Sequence, residues 1–403
     1  MIYILIVYFH AFIWKTFSMY IEKHYCYGDI IGVMTKISSF PMSHEQSLTM
    51  DYVKAFGMIF VLVGHINNDI FNVYYAYLFH MPLFFFIGGV LYKDTRSITN
   101  FIAHVIKKQL PYLIITYLII GAIALLINVR YGIHTGDAFS TGLYETAKLA
   151  IKSNFHNNKM FLTGWFLFAY IFVSILSVLI IKSIKRVIVS NAFLLSVLVA
   201  ISVLLVTVSI TYLSPQYILM KDYKMNFICQ VLTGMSFYIF GYVIRNQIYN
   251  LLNFYVFILL TVILYISKGY GFSTQTIMSW SYYPDGLIMS IINALIGIYA
   301  VFFISLLITR GTKEIKLIKM IGQNSRTIMA YHLLVYVILD VIASILGDYS
   351  LTGTDVYDNH FITKWSVPVY IALGLLLPLI FSFIKQKVIG MMKLSRLLQS
   401  IKS

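Results

Sequence analysis

Four ionisable residues, Asp51, Lys54, His65 and Asp69, stand in and beside the first long apolar stretch of this chain. Charge is costly in hydrocarbon, so such a residue inside a membrane-length stretch is a candidate for function. An imidazole takes up and releases a proton near neutral pH, which is the work of a general acid or base. A lysine supplies a fixed cation for an anionic ligand, and a carboxylate one helical turn after a histidine can orient its ring. Lys54 and His65 are eleven residues apart. On a helix that is three turns plus about 20°, which sets both on one face roughly 16 Å apart along the axis. Asp51 falls near the same face; Asp69 either joins it or lies in the loop beyond. A polar stripe of this kind needs a wet cavity or facing partner helices. The plainer alternative is that Lys54 reaches the interface along its own stem while His65 hydrogen-bonds inside a bundle. Spacing alone does not separate the two.

The elements that must position these residues are membrane helices. Hydrophobic residues make up 60% of 403 positions and charged residues 11%, whereas a soluble domain is about 45–50% apolar and about 25% charged. The apolar residues gather in blocks long enough to span about 30 Å of hydrocarbon. Spans are expected at about 53–71, 75–92, 110–128, 162–181, 191–213, 227–244, 250–267, 287–309, 326–347 and 367–384. The predicted fold class is therefore an all-α integral membrane bundle of about ten helices, with the lipid bilayer as its solvent. With the first helix running outward, eighteen Lys and Arg fall in inside segments and eight in outside ones, which puts both ends of the bundle in the cytoplasm.

The net charge of +15 is spread over these short loops, and no basic stripe with stacking aromatics points to nucleic acid. Cys26 and Cys229 form no spacing motif, so neither a disulfide framework nor a metal centre is expected. Residues 1–47 read as an N-terminal extension, its first part either interfacial or the product of a misassigned start. Residues 48–390 read as the membrane domain and 391–403 as a basic cytoplasmic tail.

The second span opens Phe79-His80-Met81-Pro82-Leu83-Phe84-Phe85-Phe86-Ile87-Gly88-Gly89. Pro82 leaves the Leu78 carbonyl without its helical donor, and the glycine pair lets another backbone come close. His80 is the polar exception in an otherwise packing-like segment. Together with Asp51-x-x-Lys54 and His65, this run resembles the family-three membrane acyltransferases, which O-acylate cell-surface polysaccharides. Three further pieces match in order: Lys107-Lys108-Gln-Leu-Pro111-Tyr112, Gly164-Trp165-Phe166-Leu167, and Gly322-x-Asn324-Ser325-x-x-Ile328-x-x-Tyr331-His332.

The resemblance spans about 48–390 and implies a function. His65 would be the general base, paired with Lys54 and oriented by Asp69. Lys107, Lys108 and His104 would meet the phosphates of acetyl-CoA, the acyl-donor substrate; no permanently bound cofactor is implied. His80, Trp165, Tyr331 and His332 would line the substrate site. The acceptor would be a lipid-linked or nascent glycan, and the location the inner membrane of a bacterium. The family usually has Arg where Lys54 stands, and its Arg-x-x-Arg on the third helix is reduced here to the Lys107–Lys108 pair. A lysine does not make the bidentate contact that Arg offers a phosphate. The rival class is a secondary transporter or glycan flippase, but the chain lacks the matched broken helices of such proteins. A glycan polymerase would place basic residues in large outer loops, and the 129–160 loop carries mixed charge.

Overall fold

In a computed structural model, the described residues are 42–66, 71, 73–136, 139, 142–272, 276–347, 349–351, 360–363 and 365–402. Asp69 lies outside them. The chain divides into two compact units. One joins 1–41 to Lys93–Thr95, of which only the three-residue turn is described. The other, Met42–Tyr92 with Arg96–Ser403, is an all-α membrane bundle.

Its helices are α1 His44–Gly64, α2 Ala76–Val90, α3 Ile98–Tyr131, α4 Leu143–Lys152, α5 Gly164–Val187, α6 Asn191–Met220, α7 Tyr223–Ile244, α8 Phe254–Gly269, α9 Gly286–Gly311, α10 Lys316–Gln323, α11 Ser325–Ile345 and α12 Ser366–Lys402. Among the described residues, eight of these are long and apolar enough to cross a membrane. Two more, α2 and α8, are shorter and apolar.

Several boundaries differ from the sequence expectation: α1 ends at Gly64 rather than 71 and α12 runs on to Lys402 rather than 384, and three others have a plain local reason. Helix α1 begins at His44 rather than 53, because Ser43 and Gln46 form a capping box: the Ser43 hydroxyl accepts from the Gln46 N–H, and the Gln46 side chain accepts from the Ser43 N–H. Helix α3 extends back to Ile98, capped by Ser97. Its first turns carry exposed His104, Lys107 and Lys108, so the helix runs past its apolar stretch. Helix α6 continues to Met220 through a widened π turn at Val208–Leu213, just ahead of Pro215, which has no N–H to return to the Thr211 carbonyl.

Helix α2 is the centre of the bundle. Every one of its residues except Tyr77 is buried, and it packs on α7, α9, α1 and α5. Its contact with α7 is backbone to backbone. A side chain on Gly89 would collide with the Tyr238 carbonyl, and one on Gly241 with the Phe86 carbonyl. In lipid, where burying apolar surface against apolar surface gains little, this close approach supplies the packing contact. Phe85 and Phe86 then reach the rings of Phe166 and Phe302 on the flanking helices. Outward faces of α3, α8 and α12 present Ile114, Ile115, Val262, Ile266, Ile380 and Phe383 to the bilayer.

Gly89→Ala should lower the melting midpoint of detergent-purified protein, with about 1–3 kcal/mol of overpacking strain. Gly311→Ala, at a position with open space around it, should leave the midpoint unchanged. Equal midpoints for both variants would remove α2–α7 contact from the account.

Candidate active site

The last turn of α1 ends at Gly64, and His65 caps it. There the helices part around a cavity of about 560 Å³, within the range of small-molecule sites. Its wall includes His65, Tyr77, His80, Trp165, Trp280 and His360.

Two of the imidazoles, His80 and His332, are held in defined tautomers. His80 Nδ1 lies 2.5 Å from the Ala76 carbonyl. A carbonyl only accepts, so Nδ1 donates and the neutral ring keeps its lone pair on Nε2. His332 does the same one turn back along α11, Nδ1 donating to the Ile328 carbonyl at 3.1 Å, and its Nε2 is buried without a hydrogen-bond partner. The His332 ring is centred 5.2 Å from that of His65. His65 Nδ1 lies 3.4 Å from the Tyr77 hydroxyl. Tyr336 locks α11 to α1 by donating its hydroxyl to the Leu62 carbonyl at 3.2 Å, one turn before His65.

The opposite wall is set by a buried polar cap. The Ser279 carbonyl accepts from Gln230 Nε2 at 2.6 Å and Asn226 Nδ2 at 3.0 Å, and His156 Nε2 lies 3.1 Å from it. Asn154 Nδ2 donates to Gln230 Oε1, and Ser281 Oγ to Asn226 Oδ1 at 2.6 Å. This network fixes the short turn Met278–Trp280 on the cavity, with the His156 ring 4.3 Å from that of Trp280.

At the far end of α1 the arrangement is different. Lys54 Nζ lies 2.6 Å from Asp51 Oδ1, and Asp51 Oδ2 accepts from Gln323 Nε2 at 2.9 Å. Gly322 brings α10 against the α1 backbone at Asp51. Lys54 is thus an ion-pair partner and does not line the cavity that holds His65. Lys107, Lys108 and His104 are exposed on α3 and also lie away from the cavity. Tyr331 packs on Phe381 of α12 rather than on the cavity. The structure therefore brings together His65, His80 and Trp165, sets His332 directly behind His65, and leaves the basic residues at the other end.

Sequence reasoning passed over three residues. Arg326 of α11 stacks on Tyr112, 3.9 Å from its ring centre, and donates to Gln109 Oε1 at 2.9 Å. It thereby puts a guanidinium against the Lys107–Tyr112 segment. His360 and Asp340 form a buried pair, Nδ1 to Oδ2 2.6 Å, with His360 on the cavity wall. Asp340 was detectable as a carboxylate inside an apolar span. His360 had no such signal, because it lies in a polar loop.

A model of the family described as an acyltransferase domain matches residues 48–387. The chain belongs to the family-three membrane acyltransferases. No curated protein and no solved structure matches it. The match runs from α1 into α12 and so takes in every segment that contributes to the cavity of this acyltransferase.

His156 gives the wall around the Ser279 carbonyl a pH dependence. Burial pushes its imidazole down to about 4, outweighing the neighbouring carbonyls that favour the proton. Its ordinary value is near 6.5. Between those values the unfolded chain binds a proton that the folded chain does not, so stability falls as pH is lowered through that window. From about pH 7 to about pH 5 the wild-type melting midpoint should fall more steeply than that of His156→Gln. Equal slopes would show that the ring is already charged in the folded protein.

Proposed function

We propose that this membrane acyltransferase moves an acyl group, acetyl by preference, from cytoplasmic acetyl-CoA to a hydroxyl of a lipid-linked or nascent cell-surface glycan, in the inner membrane of a bacterium. His65 is the general base. What carries the reading is the position of His65 in the wall of a cavity of small-molecule size, within a chain of this family.

Acyl transfer from a thioester to a hydroxyl needs a base for the hydroxyl proton, groups that meet the charge developing on the carbonyl oxygen, and a space that orders both substrates. A neutral imidazole in contact with the cavity serves the first need. Trp165 and Trp280 give that cavity flat apolar faces on which a sugar ring packs. His80 offers an unprotonated Nε2 next to the reacting region, and His332 backs the base from behind. Lys54, Lys107, Lys108, His104 and Arg326 gather the positive charge at the other end of the bundle, the side from which the donor's phosphates would approach. Asp69 stays the proposed orienting carboxylate for His65, and Tyr331 supports the helix that carries His332.

Two measurements test this. Membranes given radiolabelled acetyl-CoA should transfer label to glycan, and His65→Ala should abolish transfer while the protein still accumulates in the membrane. Full transfer by His65→Ala would overturn the base assignment. Movement of unmodified glycan with no transfer would favour a transporter. The second measurement concerns Lys54. If it meets the donor, Lys54→Met raises the half-saturating acetyl-CoA concentration, and adding Asp51→Asn does not restore it. Restoration by the double substitution would reduce Lys54 to a partner of Asp51.

A further inference from the structure

The wall of the cavity around His65 is polar in places but carries no fixed charge. Among the described residues that line it there is no Lys, Arg, Asp or Glu. Its polar side chains are imidazoles, hydroxyls and the two indoles of Trp165 and Trp280. The stretches that separate the described pieces of the wall, 67–70, 273–275 and 352–359, contain no Lys or Arg in the sequence either. Lys159, four residues before Thr163, and Lys268, which lies over the Tyr75 ring, are both outside the wall. Lys364 lies outside the described residues.

The imidazoles do not make up for the missing cation. His65 works as a base only while it is uncharged. His80 Nδ1 donates to a neutral group, the Ala76 carbonyl, and forms no ion pair with a described carboxylate. His360 is bonded to the buried Asp340, Nδ1 to Oδ2 2.6 Å. With a neutral ring that pair carries one negative charge, and with a charged ring it carries none. In neither state does it offer net positive charge to the cavity, and a carboxylate from Asp69 on His65 acts in the same direction.

An acidic group brought into this space gives up water and meets no cation, which is the expensive way to bury a charge. Hydroxyl and amide groups find hydrogen-bonding partners there at no such cost. Trp165 and Trp280 favour the same kind of ligand, since each gives a flat apolar surface with one N–H. The positive charge of the bundle, on Lys54, Lys107, Lys108 and Arg326, stands away from this wall.

We propose, on the acyl-transfer reading, that the acceptor is a neutral sugar. The residue that receives the acyl group carries hydroxyl or N-acetyl substituents and no carboxylate, sulfate or phosphate. A missing cation thus acts as a specificity device, because it rejects the charged analogue by leaving its charge unpaired. The donor obeys the same restriction: its thioester enters the cavity while its phosphates stay outside.

The test uses full-length protein in membranes of its native host, given radiolabelled acetyl-CoA. The labelled glycan is cut by glycosidases, which spare esters, and the labelled residue is identified by mass spectrometry. Label should sit on a neutral hexose, a deoxyhexose or an N-acetylhexosamine. Label on a uronic acid, a sialic acid or a phosphorylated sugar overturns the proposal. Matched competitors keep the test decisive for a glycan of neutral sugars alone. Methyl glucoside and methyl galactoside should inhibit transfer at concentrations at least about tenfold below those of methyl glucuronide and methyl galacturonide, a modest part of the cost of an unpaired charge. Equal or stronger inhibition by the acids overturns it. Lys364→Gln should keep transfer within about twofold of wild type. A larger loss at an unchanged melting midpoint would supply the cation that the site is inferred to lack, and overturns it too. Wild-type membranes that transfer no label at all bring down the acyl-transfer reading instead.

Discussion

Hydrocarbon offers no hydrogen bonds, and that single deficit organises this molecule. Each polar side chain inside the bundle must find its partner in the protein. Ser209 bonds to the Cys229 carbonyl, Ser202 to the Ser236 carbonyl, and Asp51 to both Lys54 and Gln323. Where the rule relaxes, it does so at scattered points, among them the buried Nε2 of His332, behind His65, and that of His360, a residue of the cavity wall. An active site in a membrane protein is, in this sense, the place where polar groups are held ready for a partner that arrives later.

Holding them ready requires rigid walls. The glycine-mediated contact of α2 with α7 keeps Tyr77 and His80 at fixed depth, and the Tyr336 hydroxyl ties α11 to the end of α1. The cap around the Ser279 carbonyl does the same for Trp280 with the amides of Gln230 and Asn226 and the His156 ring. Three kinds of contact, each short-ranged, thus set the width of one space. None of them involves the cationic end of the bundle, which is built separately from the Asp51 ion pair, Gln323 and the Arg326–Tyr112 stack.

The sequence made the architecture legible because lipid enforces a coarse code: apolar blocks of spanning length, separated by short charged loops. It also made His65, His80 and Trp165 legible, since each breaks or punctuates such a block. What it concealed was pairing between distant segments. Asp51 and Lys54 stand at a helical pairing distance in the sequence, but the grip of Gln323 on the same carboxylate comes from 272 residues on, and helical spacing predicted a shared face but not a shared cavity. His360 was hidden for the opposite reason. A histidine among polar loop residues looks ordinary until the loop folds back onto Asp340, twenty residues earlier in the chain. Helix ends shifted where capping residues, rather than hydrophobicity, decided them, as at Ser43 and Ser97.

The cavity wall is assembled from short pieces drawn from both ends of the family domain, from the neighbourhood of His65 to that of His360. A ribosome delivers these pieces in order, so the first histidine enters the bilayer long before the carboxylate-held one has been made. Until the last piece arrives, the pocket has no far side. A half-synthesised chain thus lacks the complete cavity, which forms only once insertion of the whole bundle is nearly complete.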